Sequence, residues 1–486
     1  MRILYLDIDT LRADHLGCYG YPRGTSPNID RIANQGVRFD KCYVSDAPCL
    51  PSRASMFTGQ FGIHSGVVNH GGLNADIRLV GRERGFRSAG NRPGFIDCLR
   101  RQGVRPVSIS PFAERHSAWW FYAGWLEMYN TGKGGMEIAD DAEPLALEWI
   151  RKNARQDNWL LHVNTWDPHT PYRTPAEFGE PFADAPLAGW YTEELRRRQW
   201  DSFGPGTPQE PAGNMGRAMG GRWPRVVEQI RSMDDYRKWI NGYDTGILYA
   251  DRSCGRILNA LADEGVLDDT IVIVTSDHGE NQGELGVIGD HAVADHITSR
   301  VPMILRWPGL PGGRVDDGLH NQVDMAATIV ELLGGQVPAH WDGRSFAGAY
   351  RQGRSAGRPY VVFSQNCWSC MRALRWEDHL FIRTYHTGLK NLPARMLFDL
   401  AADPHELNNL AESKPALADH GQALLEQWTA EMMAVSEYAE DPLWTVMREG
   451  GPFHTRAALA SYCERLRATG RARHADFLQA HPTGLA

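Results

Sequence analysis

The stretch IVIVTSDHG (271–279) opens with four β-branched apolar residues and closes on an acid, a histidine and a glycine. Entered from a turn at Asp268-Asp269-Thr270, such a run reads as a buried strand of a parallel sheet. It delivers Asp277 and His278 at its carboxyl end. The pattern recurs twice. Ile3 to Ile8 is a short apolar run interrupted by Asp7 and ending at Asp9, and Asn158 to Val163 runs into NTWDPHTPY (164–172). Helical patterns separate these strands. SPNIDRIANQG (26–36) offers Ser26 as a cap, Pro27 for the first turn, Ile29, Ile32 and Ala33 on one face, and Gly36 as a stop. Asp141 to Arg151 and Asp244 to Ala262 carry apolar residues at helical spacing. Alternation of this kind predicts an α/β fold built on a large doubly wound, mixed but mainly parallel sheet flanked by helices. Ligands of such sheets gather at the carboxyl ends of the strands, so Asp9, the loop after Asn164 and Asp277-His278 are predicted to share one site.

With 486 residues the chain exceeds one small core. We assign a large α/β domain to 1–345 and a smaller C-terminal α+β subdomain to 346–435, where RALRWEDHLFIRTYH and MLFDL read as antiparallel strands before a helix from about Pro415 to Met433. An extension over 436–486 has two open roles, packing over the large domain or a homo-oligomer contact. Ser202 to Pro224, rich in Gly and Pro, reads as a long loop. A net charge of −8 gives no global attraction to nucleic acid or anionic membrane. The arginine clusters Arg82, Arg84, Arg87 and Arg196 to Arg198 read as solvated faces. Eight cysteines without regular spacing make no disulfide framework, and the lone Cys367/Cys370 pair reads as two half-buried thiols. MRILYLDIDT lacks signal-peptide architecture and no apolar run is long enough to span a bilayer, which predicts a cytoplasmic protein.

The chemistry-bearing residues follow from the strand ends. Asp9, Asp277 and His278 are hard oxygen and nitrogen donors suited to a divalent cation with open positions for an oxyanion, and Thr10 could add a weak hydroxyl contact. DAPCLPSRASMFTG (46–59) places Cys49 at the start of a short helix closed by Thr58-Gly59, where an anion is stabilised. Arg53 lies one turn along and can point back at it. Alone, this describes equally a low-pKa thiolate or core packing.

CLPSRASMFTG resembles the C-x-P-S-R signature of the type I sulfatases, members of the alkaline phosphatase superfamily. DIDTLRADHLGCYG (7–20) is similar to the family's first metal segment, WDPHTPY to its middle histidine segment, IVIVTSDHGE to its second metal segment, and FDLAADPHELNNLA (398–411) to its closing strand and turn. The ordered matches run from about residue 1 to 412. The resemblance implies an alkaline-phosphatase-like fold and hydrolysis of a sulfate ester on a carbohydrate or aryl leaving group. It implies that a maturation enzyme oxidises Cys49 to formylglycine (3-oxoalanine), whose hydrate supplies the nucleophile, with Arg53 holding it. Asp9, Asp277 and His278, with Thr10, would bind Ca²⁺ or alternatively Mn²⁺, and His169 would contact the sulfate or leaving oxygen. The sequence departs from the family pattern in three places. Thr10 stands where an acid or amide usually follows the ligand Asp. SPFAERHSAWW replaces a lysine-histidine element, leaving His116 and Arg115 as the substitute. GVIGDHAVADH puts Asp290 or His291 at a lysine position, with His291 the expected general acid. Fewer lysines open a rival reading, a phosphonate monoester or phosphodiester hydrolase using the same formylglycine and metal. Asn69 and His70 fall at a polar substrate contact of such enzymes, and Trp166 is a further candidate contact. A third reading, a silent binding relative that keeps the Cys49 thiol, is disfavoured by the intact set of six motif residues.

Overall fold

The computed structural model describes residues 1–77, 92–213, 223–437 and 439–485. The Arg82, Arg84 and Arg87 cluster and part of the Ser202–Pro224 loop lie outside them. Fifteen strands fall among the described residues, β1 to β15 in chain order. Eight form the main sheet: β1 (Arg2–Ile8), β2 (Val37–Tyr43), β4 (Arg105–Ile109), β5 (Glu127–Tyr129), β6 (Trp159–Thr165), β7 (Thr270–Thr275), β10 (Met303–Arg306) and β11 (Arg314–Asn321). Their spatial order is β11-β2-β10-β7-β1-β6-β4-β5. Only β10 runs antiparallel to its neighbours, so the sheet is mixed and mainly parallel. Asp7 pairs in register with Asn164 on one side and Thr275 on the other. The carboxyl ends of β6, β1 and β7 therefore stop at one level, which is what brings their terminal residues together.

Alternation along β1 sends Ile3 and Tyr5 to one face and Leu4, Leu6 and Ile8 to the other. The first face packs under the helices Cys49–Thr58, Phe95–Arg101 and Gln322–Leu332. The second packs under Pro27–Gln35, Ala139–Asn153 and Met233–Asp263. Met233–Asp263 begins eleven residues before the predicted Asp244 start, at a capping box in which Ser232 and Asp235 exchange bonds. Ser26 does not cap its helix; its hydroxyl turns to Asp30, and Asp251 accepts from the Asn28 and Ile29 amides instead.

A second sheet has the order β15-β14-β13-β12-β3, from β3 (Asp46–Ala47), β12 (Tyr360–Gln365), β13 (Cys370–Trp376), β14 (His379–His386) and β15 (Arg395–Asp399). The helix Pro415–Val435 covers it through Ala418, Leu425 and Trp428. Strand β3 enters from the N-terminal half and pairs parallel with β12 two residues before Cys49. The last described residues form three helices, Pro442–Arg448, Leu459–Ala468 and Ala472–Ala480. Cys367 and Cys370 are fully buried rather than half-buried, because β13 and the loop before it lie inside the packed sheet. Among the described residues no helix is long and apolar enough to cross a membrane.

Candidate active site

Arg53 is the hub. Its Nε and Nη2 donate to the two oxygens of Asp7 at 2.9 and 3.1 Å, and Nη1 donates to Asp9 at 3.1 Å and Asp277 at 2.7 Å. All four side chains are buried. Against the burial that would raise it, Arg53 and then His162 hold the Asp7 carboxyl down at about 2. Asp9 goes the other way: burial, then the nearby Asp277 charge, push it well up. Three carboxylates thus face one guanidinium, and the surplus negative charge calls for a cation.

The donors fit one. Asp9 Oδ1 and Thr10 Oγ1 are buried without a hydrogen-bond partner among the described residues. Thr10 takes a left-handed backbone (φ 55°), and its N–H reaches Asp277 Oδ1 at 3.1 Å. His278 donates Nδ1–H to the Gly279 carbonyl at 2.8 Å, which leaves its Nε2 lone pair 3.2 Å from Cys49 Sγ. Ligand atoms of Asp9, Cys49, Asp277 and His278 lie within 4.8 Å of one another. Carboxylates and an imidazole around an open position suit a divalent ion such as Ca²⁺ or Mn²⁺.

Cys49 heads its helix as expected, but it is not a thiolate. Burial first, then Asp9 and Asp277, raise its pKa well above the ordinary range and outweigh Arg53. A buried neutral thiol is a weak nucleophile.

From Cys49 a pocket of about 690 Å³ opens, walled by His70, Arg115, His116, His169, Asp290 and His291. Burial holds all four histidines well below their usual pKa, and the Arg115 charge adds to it at His116 and His169, so the neutral imidazole is favoured. Asp290 is pushed up to about 7 by burial. His169 binds the Thr170 carbonyl through Nδ1 and stacks on Trp166 (5.6 Å, 22°). Trp166 itself is buried and also carries the Arg115 guanidinium, 4.7 Å above its ring. It is thus a platform beneath two pocket residues. Asn69 is likewise buried, its Oδ1 taken by the His70 amide at 2.9 Å. In the aromatic run after His116, Trp120, Phe121 and Trp125 are core, while Trp119 is half-exposed at the pocket rim.

The motif at Cys49, the metal-type donors and the strand-end geometry lie within a stretch that matches a known family. The Sulfatase family model matches residues 2–335, and the model of the N-sulphoglucosamine sulphohydrolase C-terminal region matches 283–432. The chain belongs to the sulfatase family.

As a type I sulfatase-family enzyme it is similar to N-acetylglucosamine-6-O-sulfatase of Bacteroides thetaiotaomicron, 23% identical over 84% of this chain and 82% of that protein. It is also similar to the multifunctional alkaline phosphatase superfamily protein PehA of Trinickia caryophylli, 26% identical over 86% and 92%. Solved structures share the alkaline-phosphatase-like fold. One, in complex with its substrate D-glucosamine-2-N,6-O-disulfate, superposes with a TM-score of 0.70 at 18% identity, covering 90% of this chain and 99% of that one. Phosphonate monoester hydrolase of Agrobacterium radiobacter gives 0.68 at 21% identity, covering 89% and 96%.

Sequence reasoning missed several residues. Asp7 was visible only as an acid inside an apolar strand, and His162 as a histidine in another; both are buried partners around Arg53. Trp368, Phe453 and His454 also line the pocket. His454 bonds His70 (2.8 Å) and stacks on Trp368 (4.4 Å, 23°), contacts no local pattern announces.

Proposed function

We propose that this enzyme hydrolyses a sulfate ester of a carbohydrate or aryl alcohol, with residue 49 as formylglycine and a divalent ion held by Asp9, Asp277, His278 and the Thr10 hydroxyl. The observation that carries this reading is the meeting of Cys49, Arg53 and three buried carboxylates at aligned strand ends with an uncompensated negative charge. When present, the ion would polarise the sulfate oxygens and the formylglycine hydrate would provide the attacking oxygen. The chain's own residues do the rest. Arg53 fixes the carboxylates so that no reorganisation is needed as charge develops. Arg115, braced on Trp166, and His116, whose Nε2 lacks a partner among the described residues, would face the ester's outer oxygens. His169 keeps Nδ1–H on Thr170, so its Nε2 donates to an anionic oxygen only as imidazolium, a form the substrate's charge favours. His291 is neutral in the free protein and would acquire the proton for the leaving oxygen in the same way. A formylglycine-generating enzyme is the implied partner for maturation.

The pocket wall favours one second reading. The resemblance puts Asp290 or His291 at a lysine position, and among the described residues of the wall Arg115 is the lone arginine or lysine, which suits a monoanionic phosphonate monoester or phosphodiester. A substrate panel decides. Matured enzyme, identified by a loss of about 18 Da at Cys49, is expected to turn over sulfate monoesters with a higher kcat/KM than matched phosphonate monoesters or phosphodiesters. The reverse order would install the second reading. Cys49→Ala is expected to abolish turnover.

A further inference from the structure

Cys49 belongs to two donor sets. The hard set faces Asp9 and Asp277. The other consists of Cys49, His169 and His291, whose ligand atoms also lie within 4.8 Å of one another. His291 is 6% exposed, and its Nδ1 is buried with no hydrogen-bond partner among the described residues. Its ring sits 5.6 Å from His169 and 4.2 Å from His278. His169 gives Nδ1–H to a backbone carbonyl and keeps a lone pair on Nε2, the outer bond typical of a metal-binding histidine. A sulfur and two imidazole nitrogens form a soft-to-borderline set, unlike the carboxylates beside it. Three protein ligands with a fourth position open to a pocket match a four-coordinate zinc site.

We propose that the thiol form of this protein binds one Zn²⁺ through Cys49 Sγ, His169 and His291, beside the hard site. The S–Zn bond forms as the thiol proton leaves to water, with no change of oxidation state. Zinc–ligand bonds of about 2.0–2.3 Å imply ligand–ligand separations of about 3.5 Å, which modest side-chain rotation reaches from the observed spacing. Conversion of Cys49 to formylglycine removes the sulfur, the donor that makes the set soft, and puts the hard oxygens of the hydrate in its place. The soft site is therefore a property of the unconverted chain. It concerns the thiol written in the sequence and stands apart from the choice of ester.

Cobalt(II) added to full-length protein, with the Cys49 thiol verified by intact mass, tests this. One equivalent is expected to give a thiolate-to-cobalt charge-transfer band that Zn²⁺ bleaches. Cys49→Ser, His169→Ala and His291→Ala should each remove the band and weaken Zn²⁺ binding in chelator competition at least 100-fold, with circular dichroism unchanged. Asp277→Asn should keep the band. Three results would overturn the proposal: no band in the unsubstituted protein, a band that survives Cys49→Ser, or a band that survives both histidine variants and disappears in Asp277→Asn.

Discussion

At the scale of single residues, the site depends on the shape of one guanidinium. Arg53 uses a bidentate grip on Asp7 to aim its remaining nitrogen at Asp9 and Asp277. A lysine keeps the charge but has no fork. Arg53→Lys is expected to lower kcat on the best sulfate ester at least 100-fold and to destabilise the protein by about 3 kcal/mol, since buried carboxylates lose their partner. Steady-state kinetics and thermal melting measure both, and a kcat within tenfold of the parent would show that charge alone suffices. Asp46 offers a pH test. Burial raises its carboxyl to about 7, despite bonds from the Gly62 amide and Ser55. The folded state therefore holds a proton that the unfolded chain releases near pH 4. That stability is complete below the unfolded pKa and disappears as pH rises through about 7. Between pH 5 and 8 the loss is about 3 kcal/mol, or about 3 °C of Tm for a chain this long. Asp46→Asn should flatten the Tm-against-pH curve by that amount; an unchanged slope would mean Asp46 titrates normally.

Among elements, the C-terminal segment carries the sharpest lesson. Both family models stop by residue 432, yet the following chain reaches the pocket. After Pro442–Arg448, Glu449 accepts the Leu73 amide at 3.0 Å, and His454 bonds His70. The helical pair Leu459–Ala480 is moored where Tyr462 and Arg471 both donate to buried Glu210, at 2.8 and 2.6 Å. His454→Ala is expected to raise KM about tenfold for a bulky saccharide ester while changing a small aryl ester about twofold or less. Equal losses on both would assign His454 a merely structural role. Nothing in the sequence revealed this contact, because His70 and His454 are 384 positions apart and neither lies on a periodic pattern. The helix at Cys49 was legible for the opposite reason: its start, its arginine one turn on and its glycine stop are all local. Gly59 closes it in the left-handed region (φ 72°), where a side chain would also strike Trp341.

For the whole molecule, the main sheet was readable from buried runs ending in acids, and its strand-end convergence followed from parallel pairing in register. The reversal of β10 was not, since a buried run of three apolar residues and an arginine looks alike in either direction. Nor was β3, two residues long, whose pairing with β12 joins the two sheets next to Cys49. Those joins make the proposed ion site a meeting point of distant chain segments: β1 brings Asp9, β7 leads to Asp277 and His278, and the helix after β3 brings Arg53. An ion bound there favours the folded state alone, because the unfolded chain scatters its ligands. At one hundred times its dissociation constant it should add about 2.7 kcal/mol, near 3 °C of Tm at this chain length. We expect Ca²⁺ or Mn²⁺ to raise Tm by that amount over chelator-treated protein, and Asp277→Asn to abolish the rise. Since the substitution also removes a charge that repels Asp9, the chelated variant should melt no lower than the chelated parent. A rise that persists in Asp277→Asn would place the stabilising ion elsewhere, and a chelated variant that melts well below its parent would mean that Asp277 serves the fold through Arg53 more than through a metal.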